Sequence, residues 1–238
     1  AWPVVHQPFP DKGCRNPDTG DTLSFAAARP AGGRPNAVVF HFTRGVQARE
    51  AFRVMKERCL STHFAIDRDG TIHQFVDPAL AAWHAAGRNQ DAIGIHLVED
   101  NRGPEVTQGR QESPGAIRGV INGGVFATGP YTDPQYSAVA RLLQLLRTRF
   151  PDISLAFPKG EDGEVLRTAL EDVRKTPGLL AHWHLSPEKW EPGPAFDFAR
   201  VVALTEGLEK GIYPAHPAPD DRPPQPGRND GAENTPIP

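Results

Sequence analysis

Three histidines in this sequence stand where a side chain could bind a catalytic metal. His41, His96 and His182 each lie within or directly after an apolar run that is typical of a buried β-strand. A catalytic zinc takes three protein ligands and keeps one position open, and histidine is its commonest ligand. A single strand histidine is more often a hydrogen-bonded core residue than a ligand. These positions alone therefore leave a zinc site as one interpretation among several.

The segment that begins at His182 favours the zinc site over the other interpretations. From His182 to Asp197 it reads HWHLSPEKWEPGPAFD. This pattern resembles the signature of the type 2 N-acetylmuramoyl-L-alanine amidases, the zinc family that also includes phage lysozyme-type amidases and the peptidoglycan recognition proteins. In that signature a histidine is followed by Ser/Ala-Pro, a lysine, one spacer residue, an acidic ligand and Pro-Gly-Pro.

The resemblance continues upstream in the order of the family. The matching segments are 38–43 for the strand with the first ligand, 61–72 for a hairpin, 82–87 for a Trp-His-Ala corner, 91–98 for the central strand and 131–145 for the helix that follows. Together they cover roughly residues 37 to 200, which is far more specific than any single motif.

Carried over residue by residue, the resemblance implies a zinc ion (Zn2+) held by His41, His182 and Glu191. It also implies that Lys189 is the cation that stabilises the developing oxyanion. Zinc lowers the pKa of a bound water and polarises an amide carbonyl, and a fixed ammonium stabilises negative charge on the carbonyl oxygen. The implied reaction is hydrolysis of the amide between N-acetylmuramic acid and L-alanine.

The third metal ligand departs from the family pattern. The family usually has aspartate where Glu191 stands, and the segment from His182 to Glu191 is one residue shorter than its commonest form. Zinc accepts either carboxylate, so a longer side chain can compensate for a shorter segment. His184 lies two residues further along the predicted strand, on the same face as His182, and is the alternative third ligand.

His96 is the second departure, because many family enzymes carry glutamate at this position as a leading candidate for the general base. Histidine can do the same work, since its ordinary pKa of about 6.5 suits proton transfer near neutrality. His96 is therefore a substituted base, which we favour, an additional metal ligand, or the mark of a domain that no longer catalyses. The resemblance also suggests Thr62 and His84 as cleft residues that contact substrate.

Two other functions remain open at this point. The first is a non-catalytic peptidoglycan-recognition module of the same fold, which the His96 substitution favours. The second is a zinc amidase with a different amide substrate, because a long loop at 100–130 and a polar insertion at 159–175 could reshape the cleft.

The elements that must position these residues follow from hydrophobic periodicity and turn signals. Asp69-Gly70 predicts a type I′ turn, and Thr132-Asp133-Pro134 predicts a capped helix start. The predicted elements are strands at 37–42, 93–98 and 179–184, a hairpin from 63–67 and 71–76, helices at 47–58, 132–150 and 196–210, and a short surface helix within 159–175.

Strands that alternate with helices predict an α/β fold, and the hairpin makes its sheet mixed. We expect a single domain at 36–212, with a central mixed β-sheet flanked by helices and the zinc cleft at strand ends. Residues 1–35 are predicted to form an N-terminal arm with at most one short strand, near 23–25. Residues 213–238 are Pro-rich and polar and predict a disordered C-terminal tail.

Composition limits the partners and the compartment. The net charge of −3 and the lack of a dense Lys/Arg stripe argue against nucleic acid, and no apolar stretch is long enough for a membrane span. We expect a monomer that binds peptidoglycan or muropeptides.

The first residue is Ala1 rather than Met, which together with a wall substrate predicts a periplasmic or secreted enzyme, with a cytoplasmic recycling role as the alternative. Cys14 and Cys59 are either one disulfide or two unrelated thiols.

Overall fold

The computed structural model describes residues 4–10, 12–15, 20–30, 33–45, 47–99 and 115–212. The tail predicted at 213–238 and residues 100–114 of the predicted loop lie outside the described residues. Within the described ranges, no helix is both long enough and apolar enough to cross a membrane.

Three helices and a series of strands make up the described structure. In chain order the strands are β1 (Val4–His6), β2 (Cys14–Arg15), β3 (Thr22–Leu23), β4 (Ala26–Ala28), β5 (Ala37–Arg44), β6 (Phe64–Ile66), β7 (Ile72–Gln74), β8 (Leu80–Ala82), β9 (Ala92–Glu99), β10 (Ile117–Ile121), β11 (Gly124–Thr128) and β12 (Gly178–Ala181). The helices are α1 (Ala48–Glu57), α2 (Asp133–Arg149) and α3 (Phe198–Glu209), with short 3₁₀ helices at Val173–Lys175 and His182–His184.

The main sheet has six strands in the order β1-β7-β6-β9-β5-β12. β6 and β7 are antiparallel, and every other neighbouring pair is parallel. This confirms the predicted mixed sheet, with the antiparallel pair supplied by the predicted hairpin. Because β6, β9, β5 and β12 are mutually parallel, their carboxyl ends meet at one edge, which is where open α/β sheets bind their ligands.

The two faces of the sheet have different partners, because side chains alternate along each strand. Val38 and Phe40 of β5 belong to the large core that also contains residues of α2 and α3. On the other face, Ala65 and Val98 pack in a cluster with buried residues of α1 and of the N-terminal segment. The sheet is therefore flanked by helices as predicted. Alternation places His41 on the α1 side.

Helix α2 begins as the sequence predicts. The Thr132 hydroxyl accepts from the Gln135 N–H, and the Thr132 N–H donates to Gln135 Oε1, so the two residues form a capping box. Gln135 Nε2 also donates to the Val98 carbonyl over 2.8 Å. The cap therefore fixes the start of α2 against the end of β9.

Residues 117–128 form a β-hairpin, so the prediction of a loop across 100–130 was wrong for this part. β10 and β11 pair with Ile121 opposite Gly124. Between them Asn122 and Gly123 have φ values of 49° and 78°, the two positive angles of a type I′ turn. Many of the hairpin's side chains are exposed, which hides the alternation expected of a strand, but the Asn-Gly dipeptide was a usable turn signal.

Two other local predictions also need correction. Of the Asp69-Gly70 pair only Gly70 has a positive φ, 87°, and its N–H donates to the Asp67 carbonyl. This is a type I turn followed by a left-handed glycine rather than a type I′ turn. The last strand ends at Ala181 instead of reaching residue 184, because the chain turns into a 3₁₀ helix.

The N-terminal segment has more structure than predicted. Four short strands replace the single one expected, and β1 extends the main sheet by pairing with β7. Cys14 and Cys59 form a disulfide that joins β2 to the chain just after α1. The structure therefore decides between the two alternatives for the cysteines.

Candidate metal centre

His41 and His96 are placed by the register of two parallel strands. They are Cα partners in the β5–β9 pair, so their side chains leave the sheet on the same face. The two rings stack with centroids 4.3 Å apart and planes 7° apart. The sheet thus holds both imidazoles in one orientation.

Three candidate ligand atoms converge beside this pair, where His182 follows the end of β12. His182 Nδ1 lies 3.1 Å from His41 Nδ1 and 2.6 Å from Glu191 Oε2, and His41 Nδ1 lies 3.6 Å from the same oxygen. Ligands held at about 2.1 Å in a tetrahedron lie roughly 3.4 Å apart. Small side-chain movements would therefore let this set hold a zinc ion.

The number of protons available also favours a cation between these atoms. His41 Nε2 lies 3.1 Å from His84 Nδ1. If His41 donates from Nε2, its Nδ1 carries no proton and its lone pair faces His182. The three converging atoms then share at most one ring proton, that on His182 Nδ1. Lone pairs gathered around one point are the donor set that a divalent cation binds.

Burial keeps the imidazoles of His41, His84 and His96 neutral. Burial lowers the pKa of His41 to about 4, although the Glu191 carboxylate 3.6 Å away opposes this shift. Burial is also the main cause that lowers the pKa of His84 and of His96 well below the ordinary value. For Glu191, burial raises the pKa, but the hydrogen bond with His182 and the closeness of the His41 ring outweigh it and lower the pKa overall. Neutral imidazoles and an ionised carboxylate suit a metal site.

His184 does not belong to this group. Its Nδ1 accepts from the Ala181 N–H over 2.9 Å, and its Nε2 donates to the Leu166 carbonyl over 2.7 Å. Both ring nitrogens are therefore used by the backbone, and the ligand-type cluster of the described residues contains His41, His182 and Glu191. The argument for His184 assumed strand geometry, which the 3₁₀ helix removes.

Thr62 and His84, expected as cleft residues, make contacts with the other histidines. Thr62 is fully buried, and its Oγ1 lies 3.0 Å from His96 Nδ1. His84 lines the cleft as well as contacting His41. Gly94 makes room for both, because a Cβ there would lie 2.6 Å from Thr62 Oγ1 and 2.7 Å from the His84 ring.

The centre opens into a cleft of about 510 Å³. It is lined by parts of β5 and β9, by α1 and the chain after it, by the two residues that follow β8, and by the segment from 182 to 191. The lining residues are His41, Phe42, Thr43, Ala51, Val54, Met55, Arg58, Leu60, Ser61, Trp83, His84, His96, His182, Lys189 and Glu191. Lys189 is exposed on the rim, and its charge is one of those that lower the pKa of His41. The predicted catalytic and ligand residues therefore share one cleft.

Sequence reasoning missed Asn122, which contacts the segment that carries His182, Lys189 and Glu191. Its Nδ2 lies within 3.3 Å of three carbonyl oxygens of that segment. The Asn122-Gly123 dipeptide was the available signal, because it predicts a hairpin whose turn would carry this amide.

Comparison with known proteins identifies the family of this chain. Residues 31–194 match the family model of N-acetylmuramoyl-L-alanine amidase. The chain therefore belongs to this family of amidases, which act on peptidoglycan.

Its relatives include two bacterial enzymes named 1,6-anhydro-N-acetylmuramyl-L-alanine amidase AmpD. The one from Enterobacter cloacae is 28% identical over 214 residues, which are 87% of this chain and 93% of the relative. The one from Escherichia coli K12 is 28% identical over 203 residues, which are 83% and 89%. A crystal structure of a selenomethionine AmpD derivative matches with a TM-score of 0.50 at 23% identity, over 84% of this chain and 93% of that one, and supports the fold.

Proposed function

We propose that this amidase is zinc-dependent and hydrolyses the amide between the lactyl group of N-acetylmuramic acid and L-alanine, in peptidoglycan or muropeptides. The observation that carries the proposal is the convergence of His41, His182 and Glu191 in the cleft of an amidase-family chain. A zinc ion bound there supplies a Lewis acid for the amide carbonyl and lowers the pKa of water.

In this proposal His41, His182 and Glu191 hold the metal, and His84 orients the first of them. A ligand histidine needs its other ring N–H fixed by an acceptor, which sets the tautomer and the ring plane. His84 Nδ1 is at hydrogen-bond distance from His41 Nε2. His84 thus acts on the metal through His41, in addition to lining the cleft.

Lys189 is proposed as the group that stabilises the oxyanion. It is exposed on the cleft rim, so its ammonium is available to a carbonyl oxygen that gains negative charge. A cation already in place stabilises that charge without reorganisation.

His96 is proposed as the general base. Its Nδ1 is engaged with Thr62 Oγ1, which leaves Nε2 to accept a proton from the attacking water. Burial lowers the pKa of His96, so the ring is in the accepting form at neutral pH, although it is a weaker base than a free imidazole. Thr62 has the role of positioning His96.

The base assignment is tested with His96→Ala, which should lower kcat by about 100-fold or more while bound zinc stays at the parental level. His73→Ala is the matched control, since His73 pairs with Asp67 and does not line the cleft. Activity of His96→Ala within a few-fold of the parent would reject the role. Zinc lost together with activity would make His96 a ligand instead.

Soluble 1,6-anhydromuropeptides are the substrate class that we propose first, because the relatives at 28% identity carry that substrate in their names. The test compares purified 1,6-anhydromuropeptide with intact sacculi and detects stem peptides with a free L-alanine amine by mass spectrometry. Release from the soluble substrate is expected. If zinc binds and neither substrate is cut, the chain is a recognition module. If a different amide is cut, the proposed substrate is wrong.

We further propose that the protein acts as a monomer in an oxidising compartment, the periplasm or the medium. The Cys14–Cys59 disulfide supports this compartment, because disulfides persist there and are rare in a reducing cytosol. Protein trapped by alkylation in the producing cells should show no free thiol. Two free thiols would instead favour the cytoplasmic alternative.

A further inference from the structure

The segment 182–191, here called the ligand loop, carries two of the proposed metal ligands and Lys189. It has little regular structure beyond the 3₁₀ helix at its start. Three of its carbonyls point at one side-chain nitrogen, Asn122 Nδ2. The distances are 3.3 Å to Trp183 O, 3.2 Å to Ser186 O and 3.0 Å to Lys189 O.

The orientation of this amide follows from its partners. Asn122 Oδ1 accepts from the Ala169 N–H over 2.7 Å, so the nitrogen must face the ligand loop. An amide nitrogen has two hydrogens, and they are shared among the three carbonyls. A flipped amide would place its oxygen against those carbonyl oxygens.

The hairpin fixes the position of Asn122 through its backbone and packs against the ligand loop. Its φ of 49° lies in the left-handed region, which asparagine tolerates better than most residues. Its backbone N–H donates to the Arg167 carbonyl. On β11, Phe126 stacks on Trp190 of the ligand loop with ring centroids 4.8 Å apart.

We infer that Asn122 is a positioning residue of the metal centre. By gathering carbonyls from both ends of the ligand loop, it sets the span between His182 and Glu191 and the place from which Lys189 reaches the cleft. This inference rests on the proposed zinc function. It assigns the hairpin β10–β11 a role in the centre that neither the family match nor the ligand set assigns to it.

Asn122→Gly separates this role from that of a turn residue, because glycine accepts the left-handed φ at no steric cost while the amide is lost. Asn122→Asp is the second variant, which keeps an acceptor for Ala169 and places oxygen against the loop carbonyls. Gly123→Asn is the control. It adds a side chain in the same turn where a Cβ meets no atom within 4 Å, and it keeps the Asn122 amide. Because the φ of 78° strains a side chain there, this variant also controls for a weakened turn.

The readouts are the zinc dissociation constant, by competition with a chromogenic chelator, and hydrogen exchange at Trp183, Leu185 and Lys189, whose N–H groups donate within the ligand loop. For Asn122→Gly we expect zinc binding about 10- to 100-fold weaker, faster exchange at these amides, and a fall in kcat with KM little changed. Asn122→Asp should weaken zinc at least as much, and Gly123→Asn should match the parent.

Parental zinc affinity and parental exchange in Asn122→Gly would overturn the inference and leave the zinc function intact. Variants that are unfolded at the assay temperature would also overturn it, since the amide would then serve the whole fold. A parent protein that binds no zinc would instead overturn the proposed function itself.

Discussion

The proposed centre is assembled from two regions that are held in different ways. His41 and His96 stand on adjacent parallel strands, where the sheet register makes them neighbours. His182, Lys189 and Glu191 stand on the ligand loop, whose shape depends on contacts with the hairpin. The sheet region holds one proposed ligand, His41, and the proposed base, His96, while the loop region supplies the other two ligands and the charged group. A change in the sheet should therefore affect the whole fold, and a change in the loop should affect the metal and the chemistry first.

The largest expected effect comes from His182→Ala, at the junction of the two regions. It removes one of the three proposed ligands and leaves the partly buried Glu191 carboxylate without its closest partner. We expect zinc to be lost and kcat/KM to fall by about 1,000-fold or more, measured by metal analysis and muropeptide hydrolysis. His6→Ala, on the exposed strand β1, should leave both unchanged. A His182→Ala protein that keeps its zinc would exclude this residue as a ligand.

A change confined to the ligand loop should separate chemistry from metal binding. Lys189→Ala should lower kcat by about 100- to 1,000-fold with zinc content and thermal unfolding unchanged. Lys175→Ala is the matched control, because that lysine is exposed and pairs with Asp172. A decrease of less than about three-fold in kcat would leave Lys189 as a surface residue.

The sheet region should respond through stability. Gly94→Ala places a methyl group against Thr62 Oγ1 and the His84 ring, so β9 or its neighbours must shift. We expect the free energy of unfolding in urea to fall by about 1–3 kcal/mol. Gly160→Ala is the control, since its Cβ meets only the end of the Asp162 side chain. Parental stability in Gly94→Ala would mean that the strand packing is looser than described.

Acid should also weaken the packed histidines. Burial lowers the pKa of His63 to about 3 and that of His184 to about 4, whereas both have a pKa near 6.5 when unfolded. Below that value the unfolded chain takes up protons that the folded one does not, so stability falls as pH decreases. From pH 7 to 5.5 the zinc-free protein should lose about 1 kcal/mol for each such histidine, measured by urea unfolding. An unchanged midpoint would contradict the buried, neutral state.

The sheet region could be predicted from the sequence because local patterns determine most of it. His41 lies in an apolar β-branched run, and this local pattern alone indicates that the residue is part of a strand. The capped start of α2 at Thr132 was equally local. Hence the presence of a sheet, its mixed character and the flanking helices follow from the sequence.

The loop region was harder because its geometry depends on residues far away in sequence. The amide of Asn122 contacts a segment about 60 residues later in the chain. A local sequence pattern does not predict a contact over that separation. His184 was weighed as a ligand because strand periodicity was extended past Ala181, where the chain turns into a 3₁₀ helix. Tertiary contacts decided this part of the site, and they override local periodicity.

The central claim, that His41, His182 and Glu191 hold a catalytic zinc, is tested most directly by metal removal and return. The protein is purified, its zinc is measured by mass spectrometry, and hydrolysis of 1,6-anhydromuropeptide is followed after chelation and after stepwise addition of zinc. We predict one zinc per chain, activity that disappears on chelation, and activity that returns in proportion to zinc up to one equivalent. Activity that persists in metal-free protein would contradict the account.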